Sequence, residues 1–315
     1  MMKKSCHLWV GMLIAVFSST LCAWDLPEAL LQKEKNAVLD KEKILNDAPF
    51  VLHHGIVGFR QFLGKDYYDQ IAEYLRREGY EVYETHISPF GTIDFRGQQL
   101  QKQLLDVLTL SGKPFVHLIA HSMGGLDARW IAAAPENKGV IQSVTTIGTP
   151  HYGTPLAAPA LKVSRLLNVF FKSAISVLVF LPQGSKNILE TMIESLEQVL
   201  PQYMKTVFNK LILDVEGVRY LSWGGMVERP IGSCLKRKRS LLFAATDMYL
   251  DRLGLQNDGV VPYESTKWGV VGAPLWADHL ELVGQHWLAL PLSLQHFSPQ
   301  QFYLELAQSL AQVST

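Results

Sequence analysis

The chain has 315 residues, of which 48% are hydrophobic and 18% charged, with 29 Lys and Arg balanced by 29 Asp and Glu. A net charge of +0 supplies no field for capturing a polyanion, which argues against a nucleic-acid partner. The length fits one large domain carrying an insertion, or two small ones, and the apolar content supports a large buried core.

Lys3 and Lys4 precede an apolar run from Leu8 to Phe17, and small and polar residues follow as far as Ala23. This is the pattern of a secretory signal over residues 1–23, removed near Ala23, which would send the mature chain to the periplasm and then outside the cell. Cys6 and Cys22 leave with the signal, so Cys234 remains alone and no intramolecular disulfide can form. Residues 24–48, with Leu30, Leu31, Leu39, Ile44 and Leu45 at helical spacing, read as a surface helix or tether. The domain proper then occupies 49–315.

From Pro49 the segments FVLHHG, DYYDQIAEYLRREG and YEVYETHIS read as strand, helix and strand. A helix over 95–111, carrying Leu100, Leu104, Leu105, Val107 and Leu108, leads to FVHLIAHS, an apolar run short enough for a central strand buried on both faces. A helix across LDARWIAAAP and a strand in VTTIGTP continue the alternation, which predicts a mostly parallel sheet with helices on both faces. Between about 155 and 200 the pattern becomes helical and very apolar, as in LLNVFFKSAISVLVFLP, and reads as an insertion. A strand at 218–225 and an amphipathic helix from Pro299 to Val313 close the domain, and KRKR at 236–239 reads as a solvated loop.

The sharpest motif is IAHSMGG at 119–125, between a predicted strand and a predicted helix. A nucleophilic serine on a tight turn needs small residues two places before and after it, and Ala120 and Gly124 hold those places around Ser122. A serine hydroxyl requires a base, and the base an orienting carboxylate. Among His151, His279, His286 and His296, His279 has the setting of a loop after the last strand. For the acid, Asp258 in the tight turn QNDGVV is preferred to Asp278, Asp251 and Asp247. The N–H groups of Met123 and Ile56 are the expected oxyanion donors, with Gly55 and Gly58 permitting close approach of the backbone.

HHGIVGF, DYYDQIAEYLRREGYEVYETHIS, AHSMGGLDARWIAAAP, VTTIGTPHYGTP, NDGVV and DHLELVGQ together resemble the bacterial true-lipase family of Pseudomonas and Burkholderia, within the α/β-hydrolase superfamily. The resemblance spans about 49–289. It implies a triacylglycerol lipase or carboxylesterase with Ser122, Asp258 and His279 as its triad, Ile56 and Met123 as its oxyanion hole, and a lipid or ester substrate met at an interface. It also implies a helical lid over about 155–200, a dedicated folding chaperone as partner, and a structural Ca²⁺ on Asp247, Glu281, Gln285 and a backbone oxygen near Ala289. Glu281 stands where the family has Asp, and Cys234 has no partner for the family's disulfide. A phospholipase or lipid acyltransferase would use the same triad, and a silent lipid-binding protein would lack a member of it.

Overall fold

The computed structural model describes residues 48–58, 66–68, 70–175, 188–227, 243–285 and 297–312. The expected signal, the tether, the KRKR run, Cys234, His286 and His296 lie outside these residues.

Among the described residues, six parallel strands make one sheet: β1 (Phe50–His53), β2 (Val82–Glu84), β3 (Val116–His121), β4 (Ile141–Ile147), β5 (Arg219–Trp223) and β6 (Val270–Val271), in the order β2-β1-β3-β4-β5-β6. After β1 the chain moves outward to β2, then returns to the far side of β1 to lay down β3 and works outward again. β1 and β3 therefore flank the point where the winding reverses, and loops leaving their carboxyl ends diverge to open a crevice.

The period-two alternation of the strands builds two cores. Phe50, Leu52, Ile119, Ile147 and Leu221 face α1 (Ile71–Arg77) and the closing helix α7 (Pro299–Gln312). Val51, Val116, Leu118, Ala120 and Val144 face the other way, toward α2 (Ile93–Ser111) and α3 (Gly124–Ala132). All six residues of β3 are buried, as expected for a central strand covered on both sides. Thr92 caps α2 by accepting the Phe95 N–H, and Gly112 ends it in the left-handed conformation.

The insertion is helical where described: α4 (Ala157–Ile175) and α5 (Ile188–Gln198) pack on each other. Ser195 on α5 bonds both the N–H (2.8 Å) and the carbonyl (2.9 Å) of Gly91, and Leu189 and Met192 pack with Phe90 beside Ile56 and Val57. The insertion thus rests on the loops that leave β1 and β2. Among the elements not expected from the sequence are α6 (Ala244–Arg252) and the two-residue edge strand β6. Neither is signalled well: α6 is only nine residues long, and a strand of two residues shows no alternation.

Candidate active site

Ser122 follows β3 directly and has φ 56°, the left-handed region that costs a non-glycine residue about 1–2 kcal/mol. The turn is held from three directions. Ser122 N–H donates to Ile147 at 2.9 Å, and the Ser122 carbonyl accepts from Gly125 N–H at 3.0 Å and from the Thr149 hydroxyl at 2.8 Å. Strain that the surroundings overdetermine in this way is characteristic of a nucleophile presented at a sheet edge.

Two loops bring the remaining groups to it. His279 Nε2 lies 2.9 Å from Ser122 Oγ, and His279 Nδ1 lies 2.7 Å from Asp258 Oδ2. The other Asp258 oxygen accepts the N–H groups of Val260 (2.9 Å) and Val261 (2.7 Å), so the Asn-Asp-Gly turn holds its own carboxylate. The two ring nitrogens are thereby assigned: the proton rests on Nδ1 toward the carboxylate, and Nε2 is free to accept from serine. Gly148, at φ 61°, lies against this pair, and a Cβ there would come within 3.3 Å of Asp258 Oδ2 and 3.4 Å of His279 Nδ1.

The competing acid, Asp278, points elsewhere: its Oδ1 accepts from the N–H groups of Leu280 and Glu281, each at 2.9 Å. Burial, and next the charge of Glu281, push its carboxyl up to about 7. Asp247 and Asp251 sit on α6. His151 is buried, with its Nε2 2.9 Å from the Thr146 hydroxyl and its Nδ1 3.2 Å from the Arg129 guanidinium, so its role is structural.

The Gly55–Ile56 peptide runs alongside the nucleophile. A Cβ on Gly55 would fall 2.5 Å from Ser122 Cβ, so only glycine permits this approach. Gly58 instead leaves room for the His54 ring. The N–H groups of Ile56 and Met123 donate to no protein acceptor among the described residues. Two unused donors beside a strained serine are what a developing oxyanion needs.

A buried polar layer, unforeseen from the sequence, supports this loop. Arg96 and Asp127 are both 0% exposed and pair at 2.8 Å, with His53 Nε2 3.1 Å from the same Asp127 oxygen. Arg96 also donates to the carbonyls of Ser88 (2.6 Å), His54 (2.9 Å) and Gly55 (3.3 Å). A signal existed: Arg96 shares a helical stripe with Leu100, Leu104 and Val107, all buried, so its side chain had to enter the core.

A model described as Domain of unknown function (DUF7379) matches residues 94–226. Among curated proteins, the chain is 28% identical over 326 residues to a triacylglycerol lipase of Vibrio cholerae, covering 95% of this chain and 96% of that one. It is 29% identical over 288 residues to a triacylglycerol lipase of Pseudomonas fragi, covering 83% and 95%. The chain has the α/β-hydrolase fold and is similar in sequence to bacterial triacylglycerol lipases. Among solved structures, the lipase of Staphylococcus hyicus superposes with a TM-score of 0.66 at 20% identity, covering 88% of this chain and 99% of that one. A metagenomic carboxyl esterase gives 0.63 at 14% identity, covering 98% and 91%.

The calcium set implied by the family resemblance falls on Asp247, Glu281 and Gln285. Gln285 Nε2 donates to the carbonyls of Asp66 and Tyr67, the latter at 3.0 Å, which leaves its Oε1 buried without a hydrogen-bond partner among the described residues. Such an oxygen suits a hard cation. Glu281 Oε2 accepts the Asp278 N–H at 3.0 Å, and Asp247 is buried on α6. Among the described residues no three His, Cys, Asp or Glu side chains gather as a metal site, and Ala289 lies outside them.

Proposed function

We propose that this chain is a serine ester hydrolase acting on lipid esters of the triacylglycerol kind. The observation that carries the reading is the continuous line Ser122 Oγ, His279 Nε2, His279 Nδ1, Asp258 Oδ2, with links of 2.9 and 2.7 Å at a serine held at φ 56°. Ser122 Oγ attacks the ester carbonyl carbon while its proton passes to His279 Nε2. The carbonyl oxygen becomes an oxyanion within reach of the Ile56 and Met123 N–H groups. His279 then returns the proton to the leaving alcohol, and the acyl group stays on Ser122. Water repeats the sequence: His279 takes its proton, the oxygen joins the acyl carbon, and the acid departs as Ser122 regains its hydrogen. Asp258 Oδ2, 2.7 Å from Nδ1, steadies the imidazolium.

The apolar contact of α5 with Phe90, Ile56 and Val57 supports a lid over the oxyanion loop, opening where an apolar surface replaces that contact. A phospholipase or acyltransferase keeps the same steps and changes only headgroup or acceptor. The basic and apolar opening of the sequence supports export to the cell exterior, and the resemblance supports a folding chaperone as partner. The unpartnered Gln285 Oε1 supports a structural Ca²⁺, which would be held with Asp247 and Glu281 and would stiffen the turn after His279.

The test is turnover of p-nitrophenyl esters and emulsified triacylglycerol by the mature chain and its Ser122→Ala variant. Turnover abolished in the variant supports the reading. A folded wild-type chain inert toward both substrates, with vesicles present, refutes it.

A further inference from the structure

The Tyr67 hydroxyl lies between the oxyanion loop and the base. It accepts the Gly55 N–H at 3.1 Å and lies 2.7 Å from His121 Nδ1. The phenolic oxygen both donates and accepts, so it takes the Gly55 N–H and hydrogen-bonds His121 Nδ1 at the same time. The His121 ring packs against that of His279, with centroids 4.5 Å apart and planes at 45°. Burial, and next the proximity of His279, hold its basicity well below the usual histidine value, so it stays neutral beside the base.

Gly55 is thus fixed at both ends. Its N–H is taken by Tyr67, and its carbonyl accepts from His54 Nδ1 (2.9 Å) and Arg96 (3.3 Å). A peptide unit points its C=O and N–H in opposite directions, so anchoring the Gly55 carbonyl aims the Ile56 N–H the other way. The same phenol that fixes the amine side of Gly55 sets the ring of His121, and that ring limits how far the His279 imidazole can tilt from Ser122.

We propose that Tyr67 is a positioning residue that ties the oxyanion loop to His279 through His121, keeping oxyanion donor and base in mutual register. It acts without touching substrate. The proposal rests on the ester-hydrolase reading for its role, and its test is chosen to separate the two.

Wild type, Tyr67→Phe and Tyr220→Phe are compared by the rate at which a fluorophosphonate labels Ser122, by kcat and KM on p-nitrophenyl butyrate, and by thermal midpoint. Tyr220→Phe is the control: it deletes a hydroxyl that accepts the Val215 N–H at 3.2 Å, on the opposite face of the sheet. Loss of direct oxyanion donors costs 10²–10³-fold, so an indirect support should cost about tenfold in labelling and kcat, with KM changed by less than about twofold. The control should keep wild-type kinetics. His121→Leu, which removes the other end of the link, should repeat the loss and stands in if Tyr67→Phe does not fold. Labelling and kcat within about twofold of wild type, a change confined to KM, or an equal kcat loss in Tyr220→Phe overturns the proposal. A wild type that is labelled but turns over no ester removes the hydrolase reading alone, and the labelling rates still judge Tyr67.

Discussion

Asp258 Oδ2 lies 2.7 Å from His279 Nδ1 although the two residues are 21 apart in the chain, while Asp278, adjacent to the histidine, bonds the backbone of its own turn. Side chains of neighbouring residues diverge, whereas a loop from another strand can bring a carboxylate in line with the ring. Asp258→Asn should therefore lower kcat about 10³–10⁴-fold by favouring the wrong histidine tautomer. Asp278→Asn should keep kcat within about threefold, since its amide oxygen can still accept the two N–H groups. Steady-state kinetics of both variants on one p-nitrophenyl ester decide the point, and the opposite ranking would exchange the two roles.

Arg96 and Asp127 form a fully buried ion pair beneath the oxyanion loop. Asp127→Asn leaves a buried guanidinium without its counter-charge, which should cost about 3–5 kcal/mol of folding stability. Urea denaturation at neutral pH reads the loss, and a cost under about 1 kcal/mol would place this pair in a wetter site than its burial indicates.

Burial, and next the charge of Arg219, hold the His117 imidazole at about 4, against 6.5 in an unfolded chain. The unfolded state then binds the extra proton at a higher pH than the folded state does. The stabilising effect is complete above pH 6.5 and is lost as pH falls toward 4, by about 3 kcal/mol for this group. His53, His54, His121 and His151 are lowered as well, and add in the same direction. Denaturation curves between pH 7 and 4 should show this slope, made shallower in His117→Gln.

Leu189 and Met192 hold α5 against Phe90 near Ile56. Met192→Ser should weaken that contact and raise activity on a soluble short-chain ester by about two- to fivefold, with little change on emulsified substrate, where the interface already favours opening. Parallel assays below and above substrate solubility measure it, and equal changes in both phases would count against a lid.

If Ca²⁺ joins Gln285 Oε1, a chelator should lower the thermal midpoint of the wild type by several degrees, and calcium but not magnesium should restore it, because Ca²⁺ accepts irregular oxygen cages. Gln285→Leu should be insensitive to both additions. Differential scanning fluorimetry suffices, and a chelator-insensitive wild type would end the calcium proposal.

Much of this molecule was legible locally. Short apolar runs alternating with helical segments predicted β1 to β5, because a strand covered on both faces, as β3 is, must be largely apolar. The spacing Ala120-x-Ser122-x-Gly124 marked the elbow, because a turn that tight tolerates only small residues beside it. The Asn-Asp-Gly turn indicated Asp258, because a carboxylate there can collect its own backbone donors, and it does so from Val260 and Val261. What the sequence left open depends on distance across the fold. The pairing of Asp258 with His279, the Arg96–Asp127 pair and the Tyr67–His121 contact each join residues brought together by the reversal of winding between β1 and β3, or by loops from separate strands. Their partners are separated by 21, 31 and 54 residues, beyond any local periodicity, so only the folded sheet decides that these polar groups meet, and with them which hydrogen bonds hold the base and the oxyanion loop in place.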